Sequence, residues 1–199
     1  MDPQFDPALS KLQQLFSAAS RELSRTINFA LIGGLSVAAW GVVRATQDID
    51  FLADSEPSPI SDLDMRNRLQ KYLEQQRCHA EWRVGDHDDP VPLLLRISLP
   101  RSYGLLGADV LWAHKRWHRD ALARSITVML SRRRIQILHP EDLILLKLDA
   151  GGPQDLADVE GLLADPPPQL NVIHLKEAAT RLRLARLLDK CLRDVRDKK

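Results

Sequence analysis

The 199 residues, 44% hydrophobic and 28% charged, exclude a disordered chain and suffice for one α/β domain with a core of its own, with or without a short helical appendage. Two distant cysteines, Cys78 and Cys191, exclude a disulfide framework and zinc-type spacing; a polar start and an apolar stretch of only 15 residues (Phe29 to Val43) argue against a signal peptide and a membrane span, so a cytoplasmic protein with no membrane partner is expected. The net charge of +1 is unevenly spread: residues 47–90 carry eleven acidic against five basic side chains, residues 114–134 seven basic against one acidic, and residues 176–199 nine basic against four acidic.

In chain order, Leu9, Leu12, Leu15, Phe16, Ala19 and Leu23 recur at helical spacing and predict an amphipathic helix over 9–23. Phe29 to Ile32 is a short apolar run closed by Gly33 and Gly34, as expected of a buried strand, and Ser36 to Val43 suits a short buried helix. Asp48 to Leu52 alternates polar and apolar and predicts a second strand, and Ser61 to Gln76 predicts a helix that Ser61 caps. Strands are expected over 80–84, 93–99 and 108–112, then a helix over 114–124 and short strands over 126–130 and 135–138. Pro140 opens a helix that runs to Ala150 and stops at Gly151-Gly152-Pro153. A helix over 155–163 and one long basic helix over 175–195 follow. The expected fold is α/β (α+β), a small mixed sheet flanked by helices. Its core would span 1–138 and a helical segment 139–199, packed as one unit.

The segment Phe29 to Leu52 carries the chemistry. In a strand, residues two apart face the same side, so Asp48 and Asp50 present both carboxylates together while Ile49 and Phe51 point inward. Two such carboxylates repel unless a cation or protons neutralise them, and Mg²⁺ takes one or two carboxylates together with substrate phosphates and water. Gly33-Gly34 allows close backbone approach to a ligand, and amides near Leu35 and Ser36 would face phosphate oxygens. Singly, each half has a plainer explanation, an exposed strand edge or an ordinary turn.

Strand, Gly-Gly, short helix and Asp-x-Asp in that order resemble the signature of the polymerase-β-like nucleotidyltransferases. Thirteen residues separate Gly34 from Asp48, near the upper end of the family's spacing. Arg44-Ala45-Thr46-Gln47-Asp48-Ile49-Asp50 also resembles the R-x-T-x-D-I-D form of bacterial minimal nucleotidyltransferases, toxin-like ones included. The resemblance implies a third carboxylate on a later strand, and Asp109, a lone acid in Gly107-Ala108-Asp109-Val110-Leu111, matches best. His139 to Leu163 resembles the helical segment that follows the catalytic sheet in toxin-related members, which implies that Lys147, Asp155 and Asp158 approach the nucleotide. Lys147 as a surface-seeking helix lysine and Asp155 as a helix cap are the plainer alternatives. The N-terminal helix, residues 77–105 and the C-terminal tail match nothing in the family.

What the resemblance implies is transfer of a nucleoside monophosphate from a nucleoside triphosphate to an acceptor hydroxyl, with Mg²⁺ or Mn²⁺ as cofactor. Asp48 and Asp50 would hold one metal and, with Asp109, a second; Asp109 would accept the proton. Gly33, Gly34 and Ser36 would contact the terminal phosphates, with Lys147 or Arg44 adding charge. The basic stretch Lys115 to Arg134, interleaved with Trp112 and Trp117, suits a nucleic-acid backbone and a stacked base, although both tryptophans suit a core equally. Toxin-type members modify transfer RNA ends, so tRNA or another nucleic acid, and a cognate antitoxin protein, are the expected partners. The alternatives are a small-molecule, antibiotic-type nucleotidyltransferase and a non-catalytic binding partner on the same fold.

Overall fold

The first strand–helix–strand unit sets the layering. The computed structural model describes residues 5–43, 45–46, 48–56, 61–85, 92–103, 107–130 and 133–198. Helix α1 (Phe5–Glu22) leads into β1 (Ile27–Leu31), α2 (Gly33–Ala39) and β2 (Ile49–Ser55). β1 and β2 are antiparallel, with Leu31 opposite Phe51. Phe51 shares one face of β2 with Ile49 and Ala53 and meets Phe16 of α1 and Phe29 of β1, each ring centroid 5.8 Å away. That aromatic cluster fixes α1 on one face of the sheet and leaves Asp50, Leu52 and Asp54 on the other.

The chain continues through α3 (Asp62–Gln75), β3 (His79–Val84), β4 (Leu93–Ser98), β5 (Gly107–Trp112), α4 (Arg116–Ala123), β6 (Ile126–Leu130) and β7 (Arg133–Ile137). Ser61 caps α3 as its sequence predicts, its hydroxyl accepting from the Asp64 N–H at 3.1 Å. All seven strands form one mixed sheet in the order β3-β4-β5-β2-β1-β7-β6. β2 pairs with β5 and β1 with β7 in parallel; every other pairing is antiparallel. The expected α/β (α+β) class with a small mixed sheet is what forms.

Four helices close the chain: α5 (Pro140–Ala150), α6 (Pro153–Ala164), α7 (Val172–Arg181) and α8 (Ala185–Asp197). Every residue of α5 from Pro140 to Leu148 is buried, so this helix is an interior rod rather than an amphipathic surface one. The single helix expected over 175–195 is two. Arg183 takes a left-handed conformation (φ 64°), and the Leu184 N–H turns back to the Ala179 carbonyl at 2.8 Å. Leucine periodicity continues across this break, which is why the sequence pattern conceals it. The short helix expected to begin at Ser36 begins at Gly33 instead. Among the described residues no helix is long and apolar enough to cross a membrane.

Candidate active site

The parallel pairing of β2 with β5 sets Asp50 beside Asp109 in direct register. Neighbouring strands lie about 4.8 Å apart, so the two carboxylates share one face at adjacent positions. Gly33 sits against them. Its φ of +61° is a left-handed conformation, and a Cβ there would stand 1.9 Å from Asp50 Oδ2. Only glycine fits, on both counts. The Ile32 N–H donates to the Asp50 carbonyl at 2.8 Å, which ties the start of α2 to the carboxylate-bearing strand.

Asp48 lies one residue before β2 and is exposed. Two adjoining hollows meet at Asp109. One, about 400 Å³, is lined by Gly33, Asp50, Asp109, Lys147 and Asp155 among mostly apolar neighbours. The other, about 280 Å³, is lined by Asp48, Arg96 and Asp109. Arg96 stands opposite Asp109 across the β4–β5 ladder and grips it with both prongs, Nε to Oδ1 at 2.7 Å and Nη2 to Oδ2 at 2.6 Å. The hydrogen bond to Asp109, then its charge, raises the Arg96 pKa above the usual arginine value.

The donor set here is all carboxylate, which suits a hard divalent cation such as Mg²⁺ or Mn²⁺. Asp50 lines the larger hollow and Asp48 the smaller. Asp109 has both oxygens on Arg96, and among the described residues no three or more His, Cys, Asp or Glu side chains are gathered closely enough to hold a metal ion.

Lys147, Asp155 and Asp158 come together. Lys147, with 6% of its side chain exposed, places Nζ 3.1 Å from Asp155 Oδ1 and 2.7 Å from Asp158 Oδ2. Lys147 is therefore no surface-seeking lysine. Nor does Asp155 cap α6, whose N-cap is Gly152 without a side-chain cap bond. Asp155 lines the larger hollow, whereas Asp158 lies in the interior.

Gly34 and Ser36 are buried, and neither is among the residues lining the two hollows. Ser36 is wholly enclosed, and its hydroxyl has no hydrogen-bond partner. Arg44 falls outside the described residues. Trp112 is 6% exposed and meets Trp82 edge-on at 5.3 Å, so it belongs to the core and offers no stacking platform. Trp117 is half-buried against His118.

Three neighbours of the site escape the sequence pattern: Arg96, Asp149 and His118. Asp149 lines the larger hollow and accepts from Lys115 Nζ at 2.5 Å. His118 lines it too; burial, followed by the nearby His114, pushes its pKa down to about 3, so the ring is neutral. Arg96 carried a readable signal, a lone charge inside the apolar run Leu93 to Leu99, the same pattern that marks Asp109.

No family model matches the chain, and no curated protein matches it. Among solved structures it is similar to an antigenic nucleotidyltransferase-like protein from Paracoccidioides brasiliensis, at 17% identity and a TM-score of 0.45 over 91% of each chain. It is similar also to the antibiotic-resistance factor ANT(2'')-Ia, at 16% identity and a TM-score of 0.41 over 95% of this chain and 93% of the other. A third similarity is to a cytoplasmic RNA terminal U-transferase, at 13% identity and a TM-score of 0.42, covering 82% of this chain and 39% of that one.

Proposed function

We propose that the protein transfers a nucleoside monophosphate from a nucleoside triphosphate to an acceptor hydroxyl and releases pyrophosphate. The observation that carries this reading is the placement of Asp50 and Asp109 in register on parallel strands, against a Gly33 that leaves no room for a side chain, at the mouth of a hollow holding Lys147. A Mg²⁺ or Mn²⁺ ion held by Asp48 and Asp50, and extended to Asp109, would neutralise the triphosphate and lower the pKa of the attacking hydroxyl. Asp109, once turned away from Arg96, would take the proton of the acceptor hydroxyl. Arg96, half-exposed and then unpaired, would supply a positive charge beside the transferred phosphoryl group. Lys147 lies at the same wall but already neutralises two aspartates, so its part is to orient Asp155 and hold the wall of the hollow.

The acceptor best supported is a small hydroxylated molecule. Three cations of the basic stretch are spent within the fold: Lys115 on Asp149, Arg124 on Asp142 and Arg133 on Asp6. With Trp112 in the core as well, the expected nucleic-acid platform is diminished among the described residues. Transfer RNA serves as the competing acceptor in the test.

Calorimetric titration of nucleoside triphosphates with Mg²⁺ or Mn²⁺ into the wild type and into Asp48→Ala/Asp50→Ala checks the reading. Metal-dependent binding in the wild type, lost in the double variant, is the expected result. Labelled-nucleotide transfer to polyhydroxylated small molecules or to transfer RNA then identifies the acceptor class. A wild type that binds no triphosphate with either metal sinks the enzyme reading.

A further inference from the structure

At the opposite end of β2 and β5 the sheet opens into another hollow of about 630 Å³, larger than the one beside Asp50. Asp54, on its wall, is four residues beyond Asp50, about 13 Å along a strand. None of Asp48, Asp50 and Asp109 lines it.

Arg25 is the wall residue that calls for an explanation. The chain leaves α1 through Ser24 in a left-handed conformation (φ 48°), and the Arg25 side chain ends only 6% exposed. A guanidinium at that depth is costly unless its N–H groups find acceptors. Arg25 Nε donates to the Glu56 carbonyl at 2.5 Å, and Nη2 reaches Asp62 only at 3.5 Å. Nη1 is buried with no hydrogen-bond partner. The Asp62 side chain is 85% exposed, so solvent screens most of its charge. The result is a buried, half-satisfied cation at a cavity wall, whose charge favours an anion in the hollow.

Two more guanidinia line the same hollow. Arg119 is held in place by Nε on Asp54 at 2.9 Å and Nη2 on the Ala113 carbonyl at 3.3 Å. Arg66 lies over the Trp82 ring, 5.9 Å from its centroid. Against the three arginines stand Asp54 and Asp62, so the wall keeps a positive excess. Val84, Pro92 and Leu93 give it an apolar side. The volume is that of a pocket for a small molecule, not for a polymer.

We propose that this hollow binds a small organic phosphate monoester, its phosphate on Arg119 and Arg66 with the buried Arg25 adding charge, and its organic group against Val84, Pro92 and Leu93. This site lies apart from the carboxylates and does not depend on nucleotidyl transfer.

Titration of phenyl phosphate, with inorganic phosphate as a second probe, into the full chain without metal or nucleotide tests it. Wild type and Asp50→Ala should bind phenyl phosphate alike, and both more tightly than inorganic phosphate. Arg66→Ala/Arg119→Ala should weaken binding at least tenfold while keeping the wild-type circular dichroism spectrum; the more exposed Arg119→Ala alone serves should the double variant misfold. Absence of binding to the wild type, binding that survives loss of these arginines, or binding that vanishes in Asp50→Ala would each overturn the proposal. Because no metal or triphosphate enters the assay, failure of the nucleotidyl-transfer reading leaves this result intact.

Discussion

At Gly33 two constraints coincide: a left-handed φ of +61° and Asp50 Oδ2 standing 1.9 Å from the place a Cβ would take. Strain and overlap together make Gly33→Ala destabilising by about 2 kcal/mol, read by urea unfolding. The larger effect falls on the site, because Asp50 must swing aside; metal-dependent triphosphate binding should drop at least tenfold. Gly151→Ala is the control. Gly151 shares the positive φ, at +66°, but its nearest neighbour would stand 3.7 Å away. That variant should lose some stability and no binding. Equal triphosphate affinity in Gly33→Ala and wild type would show that the Gly33–Asp50 contact does not set the site. Gly33, Asp50 and Asp109 were all legible as residues, since glycine pairs and lone acids in apolar strands stand out locally. Ser36 was legible only as a residue type: nothing in its neighbours distinguishes a hydroxyl facing a ligand from one enclosed in the core.

Between α5 and α6, Lys147 works as an internal bolt, its ammonium shared by Asp155 and the 2%-exposed Asp158. Lys147→Met removes the ammonium that Asp155 and the buried Asp158 share, and urea denaturation should register a loss of about 3–5 kcal/mol. Replacing both, Lys147→Met/Asp158→Leu, should recover most of that loss, because the buried carboxylate goes with its ammonium and the partly exposed Asp155 keeps solvent. A single variant as stable as wild type would refute the bolt. At this scale the sequence was informative wherever periodicity ended in a local stop signal. The limits of α5, Pro140 and Ala150, follow from a proline at the first turn and a Gly151-Gly152-Pro153 stop, and the Ser61 cap was equally plain. The break between α7 and α8 was not. It rests on Arg183 adopting a conformation that arginine seldom takes, and only tertiary packing makes that worthwhile. Pairing across strands was hidden for a related reason: Arg96 meets Asp109 through the register of β4 on β5, which no local pattern encodes.

Across the whole molecule, the site gathers residues from α2, β2, β4, β5, α5 and α6, so it exists only when the central sheet is complete. Collecting carboxylates at the meeting of two parallel strands would ordinarily make assembly depend on an outside cation. Here the fork of Arg96 on Asp109 supplies a counter-charge from within the chain. The sheet can therefore close without an ion, and on the proposed function ion uptake would be a later event that displaces an internal tenant. Thermal unfolding in a chelator should match that in the untreated protein. In Arg96→Ala the tenant is gone, and Mn²⁺ at a hundred times its dissociation constant should stabilise that variant by about 2.7 kcal/mol. Wild type should gain less, since part of the ion's binding energy goes into evicting the arginine. Should the chelator unfold the wild type, the arginine is no substitute for the ion; on the proposed function, the Arg96–Asp109 pair would keep the carboxylates safely neutralised until the ion arrives.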